Sequence, residues 1–175
     1  MGTAALVSVD EYVATTYRPD REFVDGMLIE RNVGQNDHSS TQAEILAWFI
    51  RRERELRLKA FPEQRIRVSA SRFRIPDISV VRLPWRREQV LSEPPYICIE
   101  VLSPDDSLAS LRSRFDDFLA MGVPNNWLLD PESRRAWSVT RDGYLDATDG
   151  ILHSSDGAVS MPIAGLFPTS DVIDA

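Results

Sequence analysis

The chain has 175 residues, 43% of them hydrophobic and 27% charged, which fits a single domain over residues 1–175 and excludes a disordered chain. No apolar run approaches the roughly 20 residues that span a bilayer, and the start has no basic stretch leading into an apolar one, so the expected location is the cytoplasm. The net charge of −7 argues against avid, nonspecific binding of nucleic acid.

In chain order, Ser8-Val9-Asp10-Glu11 has the form of a capping box and predicts a short helix running to about Thr16, broken by Arg18-Pro19-Asp20. Two apolar stretches flank Asp25-Gly26, a dipeptide that readily takes up positive φ, which predicts a β-hairpin over 22–32. Residues 33–37 read as a polar connection. Ile45, Leu46, Phe49, Ile50 and Leu56 recur at helical spacing and predict a long helix over 39–59, with Lys59 at its end. Beyond Pro62, segments 65–70 and 75–83 read as strands, and 83–95, with three prolines, as an irregular loop.

Tyr96 to Leu102 is a short, nearly continuous apolar run, the pattern of a strand covered on both faces. It ends at Ser103-Pro104-Asp105-Asp106-Ser107. Leu108, Leu111, Phe115, Phe118 and Leu119 then form one apolar stripe on a second long helix closed by Gly122. Asn126 to Asp130 reads as a strand, residues 136–148 as a hairpin around Asp142-Gly143, and the stretch after Gly157 as one more strand. The expected fold class is α/β: a mixed β-sheet core flanked by helices, with N-terminal and C-terminal β-hairpins.

The charge is unevenly spread. Residues 51–90 hold twelve Arg or Lys against five Asp or Glu. A solvated helix face explains that surplus as readily as a phosphate-facing surface does. The single cysteine, Cys98, reads as a small buried hydrophobe.

Two acids lie where apolar patterning would not put them. Glu100 falls inside Ile97-Cys98-Ile99-Glu100-Val101-Leu102, where an ionised carboxylate costs several kcal/mol unless a cation, hydrogen bonds or a raised pKa offset it. Asp77 opens a strand just after Pro76, a position also common for a simple turn residue. Together they resemble a two-carboxylate site for a hard cation such as Mg²⁺ or Mn²⁺.

Pro76-Asp77, Glu100-Val101-Leu102-Ser103-Pro104, Gly122-Val123-Pro124 and Trp127-Leu128-Leu129-Asp130-Pro131 resemble, in order and spacing, the Uma-type family, a restriction-endonuclease-like branch of the PD-(D/E)xK nuclease superfamily. Glu11-Tyr12 and Glu22-Phe23-Val24-Asp25-Gly26 resemble that family's opening, and the likeness runs from about residue 8 to 168. It implies a restriction-endonuclease-like core in which Asp77 and Glu100 bind the metal that activates water, with Glu22 as an additional acid. His38 falls where members often carry a histidine, but the favoured reading is a helix-entry histidine that bonds locally.

The departure concerns lysine. The superfamily pattern puts Lys two residues after the Glu, where this chain has Leu102. The branch carries it instead eight residues before the Gly of Gly-Val, where this chain has Arg114. Arginine keeps the charge and can clamp a phosphate, but its pKa above about 12 prevents it from taking a proton from water. A plain alternative for Arg114 is a surface ion pair with Asp117, three residues on. The resemblance therefore implies a metal-dependent endonuclease acting on nucleic acid, DNA first, with Asp77, Glu100, Glu22 and Arg114 as the site residues and a homodimer as the working unit. The other expectation is a nuclease-fold protein that no longer cuts and serves as a nucleic-acid-binding or assembly module.

Overall fold

The computed structural model describes residues 6–31 and 35–168. Ser8 caps α1 (Val9–Ala14), its Oγ accepting the Glu11 amide at 3.1 Å, as the capping box predicts. Strands β1 (Arg21–Val24) and β2 (Met27–Glu30) form the first hairpin. Asp25 and Gly26 adopt φ of 50° and 92°, the two successive positive values that a two-residue turn of matching twist requires. The far end of the predicted hairpin, residue 32, and residues 33–34 of the predicted connection lie outside the described residues.

Helix α2 (Asn36–Ile50) begins inside the stretch expected to be a connection and stops nine residues before the expected end. A four-residue turn, α3 (Glu53–Leu56), and a left-handed Arg57 at φ 53° then lead into β3 (Leu58–Pro62). Lys59 therefore sits on a strand and pairs with Glu53, and it does not end a helix. The physical reason is tertiary. Segment 51–57 offers no continuous apolar stripe, whereas Leu58 and Ala60 alternate inward and β3 pairs along its whole length with β6 (Ile78–Arg82).

Strands β4 (Ile66–Ser69) and β5 (Arg72–Arg74) extend the hairpin into a four-stranded sheet ordered β2-β1-β5-β4. Then follow β7 (Ile97–Val101), α4 (Leu108–Met121), β8 (Asn125–Asp130), β9 (Arg135–Thr140) and β10 (Gly143–Asp146), with a small β11 (Ile151–His153) and β12 (Ser160–Pro162) pair last. The main sheet has six strands ordered β10-β9-β8-β7-β6-β3. Only β7 and β8 run parallel in it, and α4 supplies the crossover that parallel neighbours need.

The helices cover opposite faces of this sheet. Ile45 and Phe49 of α2 pack with Ile78, Val80, Ile97, Ile99, Trp127 and Leu129. Leu111, Phe115 and Phe118 of α4 pack with Val81, Cys98, Leu128 and Val139. Each such side chain contributes roughly 1.5–3 kcal/mol on burial. Alternation along β7 sends Ile97 and Ile99 to the α2 side and Cys98 to the α4 side, so Glu100 also faces α4. Tyr12, Phe23 and Phe73 form a third cluster that fastens α1 to the smaller sheet.

Leu108 departs from the expected stripe, since it is 85% exposed. It is the first residue of α4, just after the capping Ser107, and the stripe meets the sheet only from Leu111 onward. Gly122 closes the helix in the left-handed region, at φ 97°. Among the described residues no helix is long and apolar enough to cross a membrane.

Candidate metal and phosphate site

The register of β6 and β7 builds the site. Ile78 lies opposite Ile99 and Ser79 opposite Cys98. One more step sets Asp77 opposite Glu100, where side chains on one face stand about 5 Å apart at Cβ. The Val101 amide locks this arrangement by donating to Asp77 Oδ2 at 2.8 Å. The Asp77 carbonyl accepts from Gln42 Nε2 at 2.9 Å and from the Glu63 amide at 3.0 Å. An aspartate at this strand entry is thus held by main-chain and side-chain bonds from three segments.

Asp77 and Glu100 line one small cavity of about 30 Å³ with Arg31, His38, Val101, Ser103, Asp106 and Arg114. Arg31 Nη2 donates to Asp77 Oδ1 at 2.7 Å, and His38 Nε2 lies 3.2 Å from Asp77 Oδ2. Burial works to raise the Asp77 pKa, but His38, Arg31 and the Val101 amide outweigh it and hold the group below the usual carboxylate range. Burial also disfavours the His38 cation, yet Asp77 beside it leaves the imidazole pKa raised.

Glu100 differs from its neighbour. Burial pushes its carboxyl up to about 8, the nearby Asp77 and Glu22 charges add to the rise, and Arg114 and Arg31 oppose it. Arg114 Nε stands 3.4 Å from Glu100 Oε2, while its Nη2 donates to Asp106 Oδ1 at 3.0 Å. Asp106 is itself oriented by the Ser103 amide, which donates to its Oδ2 at 3.0 Å.

Among the described residues, four that line the cavity carry a buried polar atom with no hydrogen-bond partner: His38 Nδ1, Glu100 Oε1, Ser103 Oγ and Arg114 Nε. Buried polar atoms are almost always satisfied, so their gathering at one point marks a place for a polar guest. The donor set suits a hard cation, with two carboxylates on adjacent strands, one of them holding an unpartnered oxygen. Among the described residues no group of three or more His, Cys, Asp or Glu side chains could hold a metal ion. Two carboxylates would hold a hard cation such as Mg²⁺ only in an open site completed by water, and not in a closed cage.

The sequence matches the family described as Uma2, putative restriction endonuclease, over residues 9–161. The chain belongs to that family. Among solved structures it is similar to a crystal structure described as a putative nuclease belonging to DUF820 from Anabaena variabilis ATCC 29413. Identity there is 24%, with 92% of this chain and 97% of that one covered and a TM-score of 0.78. That likeness establishes the mixed α/β fold expected from the residues, in agreement with the core that the family resemblance implied. No curated protein matches.

Against the Uma2 frame, the expected site residues fall into two groups. Asp77, Glu100 and Arg114 come together around the cavity. Glu22 lies next to them without entering it: its Oε2 accepts from Arg74 Nη1 at 2.7 Å and its Oε1 from the Ile75 amide at 3.0 Å. Two simpler alternatives are corrected. His38 bonds across the fold to Asp77, 39 residues away, and among the described residues its ring makes no local hydrogen bond. Asp117 is held by Arg72 and Arg74, which leaves Arg114 to Glu100 and Asp106.

Part of the basic run 51–90 is already engaged by acids. Arg65 pairs with Asp20, Arg72 with Asp25 and Asp117, Arg74 with Glu22 and Asp117, and Arg82 with Asp156. Sequence reasoning missed Arg31, Ser103 and Asp106 as site residues. Asp106 carried a usable signal, since an acid eight residues before the substituted Arg114 lies in the turn that leaves the Glu100 strand.

Proposed function

We propose that this Uma2-family protein is a metal-dependent endonuclease that hydrolyses phosphodiester bonds of nucleic acid, DNA first, using Mg²⁺ or Mn²⁺ held by Asp77 and Glu100. The observation that carries this reading is the convergence of those two carboxylates on one cavity, with Glu100 Oε1 left without a partner. Bound there, a divalent cation would supply Lewis-acid stabilisation of the charge that develops on a scissile phosphate.

The chain's own residues do the rest. Val101 fixes Asp77, so that only its Oδ1 side is turned toward Arg31 and away from main-chain bonding. Arg114 offers a permanent positive charge and an Nε that makes no hydrogen bond, which suits it to hold a phosphate oxygen and unsuits it to deprotonate water. Glu22, its oxygens already engaged, contributes as an auxiliary acid through its field, which disfavours a second bare anion at Glu100 and favours a cation.

The test is nicking of supercoiled plasmid by the purified protein in Mg²⁺, Mn²⁺ or EDTA, beside Glu100→Ala and Asp77→Ala. Metal-dependent nicking lost in both variants is the expected result, and cleavage that survives both would remove the site from these residues.

One observation favours a second reading. Each carboxylate already has a guanidinium partner, Arg31 on Asp77 and Arg114 on Glu100, so a non-cutting nucleic-acid-binding or assembly module is the alternative. It predicts duplex binding with a steep salt dependence and no turnover in any metal. Double-strand cutting would favour a homodimer, which sizing by light scattering tests directly.

A further inference from the structure

Among the described residues, Arg31 is the one cation at the cavity that is not fixed on a helix. It follows the last residue of β2 and takes part in no strand pairing. Its two amino groups point in different directions: Nη2 to Asp77 Oδ1 at 2.7 Å, and Nη1 to Glu63 Oε1 at 3.0 Å. The Asp77 side chain is 4% exposed and that of Glu63 is 59% exposed. One guanidinium therefore spans from a buried acid to the solvent, with a second acid waiting at the outer end.

Asp77 Oδ2 is taken by Val101 and His38, and among the described residues Oδ1 is bonded by Arg31 alone. A cation reaching Asp77 has to approach on the Oδ1 side, where Arg31 now stands. Two positive groups in one buried cavity repel strongly, at about 4 kcal/mol for unit charges 4 Å apart at an effective dielectric of 20. Arg114 cannot give way in the same manner, since α4 carries it and Asp106 holds it.

We propose that Arg31 is an exchangeable counter-ion: it neutralises Asp77 until a divalent cation takes its place, then pivots on Glu63 to bind a substrate phosphate at the cavity mouth. This rests on the metal site proposed above. The exchange keeps the buried acid compensated in both states, because removing one partner of a buried pair without replacement is costly. It also links metal occupancy to phosphate affinity, since the guanidinium becomes available to the duplex only once Asp77 holds its metal.

The test uses the full chain and Mn²⁺ alone, by isothermal titration calorimetry on wild type, Arg31→Gln and Glu63→Gln, with thermal melts to verify folding. Removing the competitor should tighten Mn²⁺ binding about tenfold in Arg31→Gln. Removing the surface acid should weaken it several-fold in Glu63→Gln, because Arg31 then has only Asp77 to hold. Opposite signs at two residues are not expected of a structural ion pair. Glu63→Gln is a surface change and keeps the test usable if Arg31→Gln does not fold. Duplex binding in Ca²⁺ should fall several-fold in Arg31→Gln, with a salt slope lower by about one, and should be unchanged by it in EDTA.

Equal Mn²⁺ affinity in all three proteins overturns the exchange while leaving the metal site standing. Equal duplex affinity of wild type and Arg31→Gln in Ca²⁺ overturns the phosphate role. No Mn²⁺ binding in any of them overturns this inference together with the metal site.

Discussion

Arg74 donates from Nη1 to Glu22 Oε2 at 2.7 Å, and both side chains are almost sealed from solvent. The same guanidinium donates from Nε to Asp117 Oδ2 at 2.7 Å and from Nη2 to Ser113 Oγ at 2.9 Å. It therefore ties the hairpin sheet to α4 one residue before Arg114. Arg74→Met takes a charge partner from two buried carboxylates, leaving Glu22 only the Ile75 amide and Asp117 only Arg72, and should lower the unfolding free energy by about 3 kcal/mol in urea titrations. A loss under about 1 kcal/mol would show the network to be incidental.

Glu100 should make stability depend on pH. Its folded pKa, about 8, lies above the ordinary 4.5, so its contribution is fully present below pH 4.5 and is lost as pH rises through 8. His38, also raised, acts in the same direction, contributing below its ordinary value of 6.5 and losing that contribution at higher pH. Asp77 is lowered and acts on the acid side, where its stabilisation is lost as pH falls below 3.8. In EDTA the melting temperature should fall between pH 5 and pH 8.5, and Glu100→Gln should flatten most of that fall, a change of a few kcal/mol at about 1.4 kcal/mol per pH unit. An unchanged slope in the variant would assign the dependence elsewhere.

Arg114 answers a question of chemistry. If cleavage is slow because a guanidinium stands where the family carries an ammonium, Arg114→Lys should raise the nicking rate, by up to about 10²-fold, the lower end of a general acid-base contribution. Arg114→Met should lower it by about 10²-fold and also destabilise the fold, since Glu100 loses its partner. A lysine variant slower than wild type would make the bidentate fork the working feature.

Cys98 is fully buried on the α4 face, and burial pushes its thiol pKa well up. It should not react with a thiol-specific disulfide reagent in the native state, and one thiol per chain should appear on unfolding in urea. Rapid native labelling would place Cys98 outside the core.

The elements legible in the sequence were those decided by nearby residues. The capping box at Ser8, the Asp25-Gly26 turn and the Gly122 stop each work through bonds within a few positions. Strand β3 was not legible because its state depends on β6, some twenty residues away, and the three-residue β5 is too short to carry an alternation. At the site, Glu100 announced itself by breaking an apolar run and Asp77 by opening a strand just after Pro76, and Arg114 followed from the resemblance. Arg31 and Arg74 gave no sign, because an arginine in a charged stretch violates no pattern until its acid is found across the fold.

The two sides of the Arg31 and Asp77 contact live on different clocks. Glu100 and the amide that grips Asp77 belong to β7, an interior strand of the six-stranded sheet, whereas Arg31 trails from β2, the outermost strand of the smaller one. Hydrogen bonds of core strands open at free energies approaching that of global unfolding, while the ends of edge strands open at lower ones. On warming, the guanidinium would come loose well before the carboxylates lose their order, so the cavity passes through an electrically unbalanced interval in which an added ion has most to gain by entering.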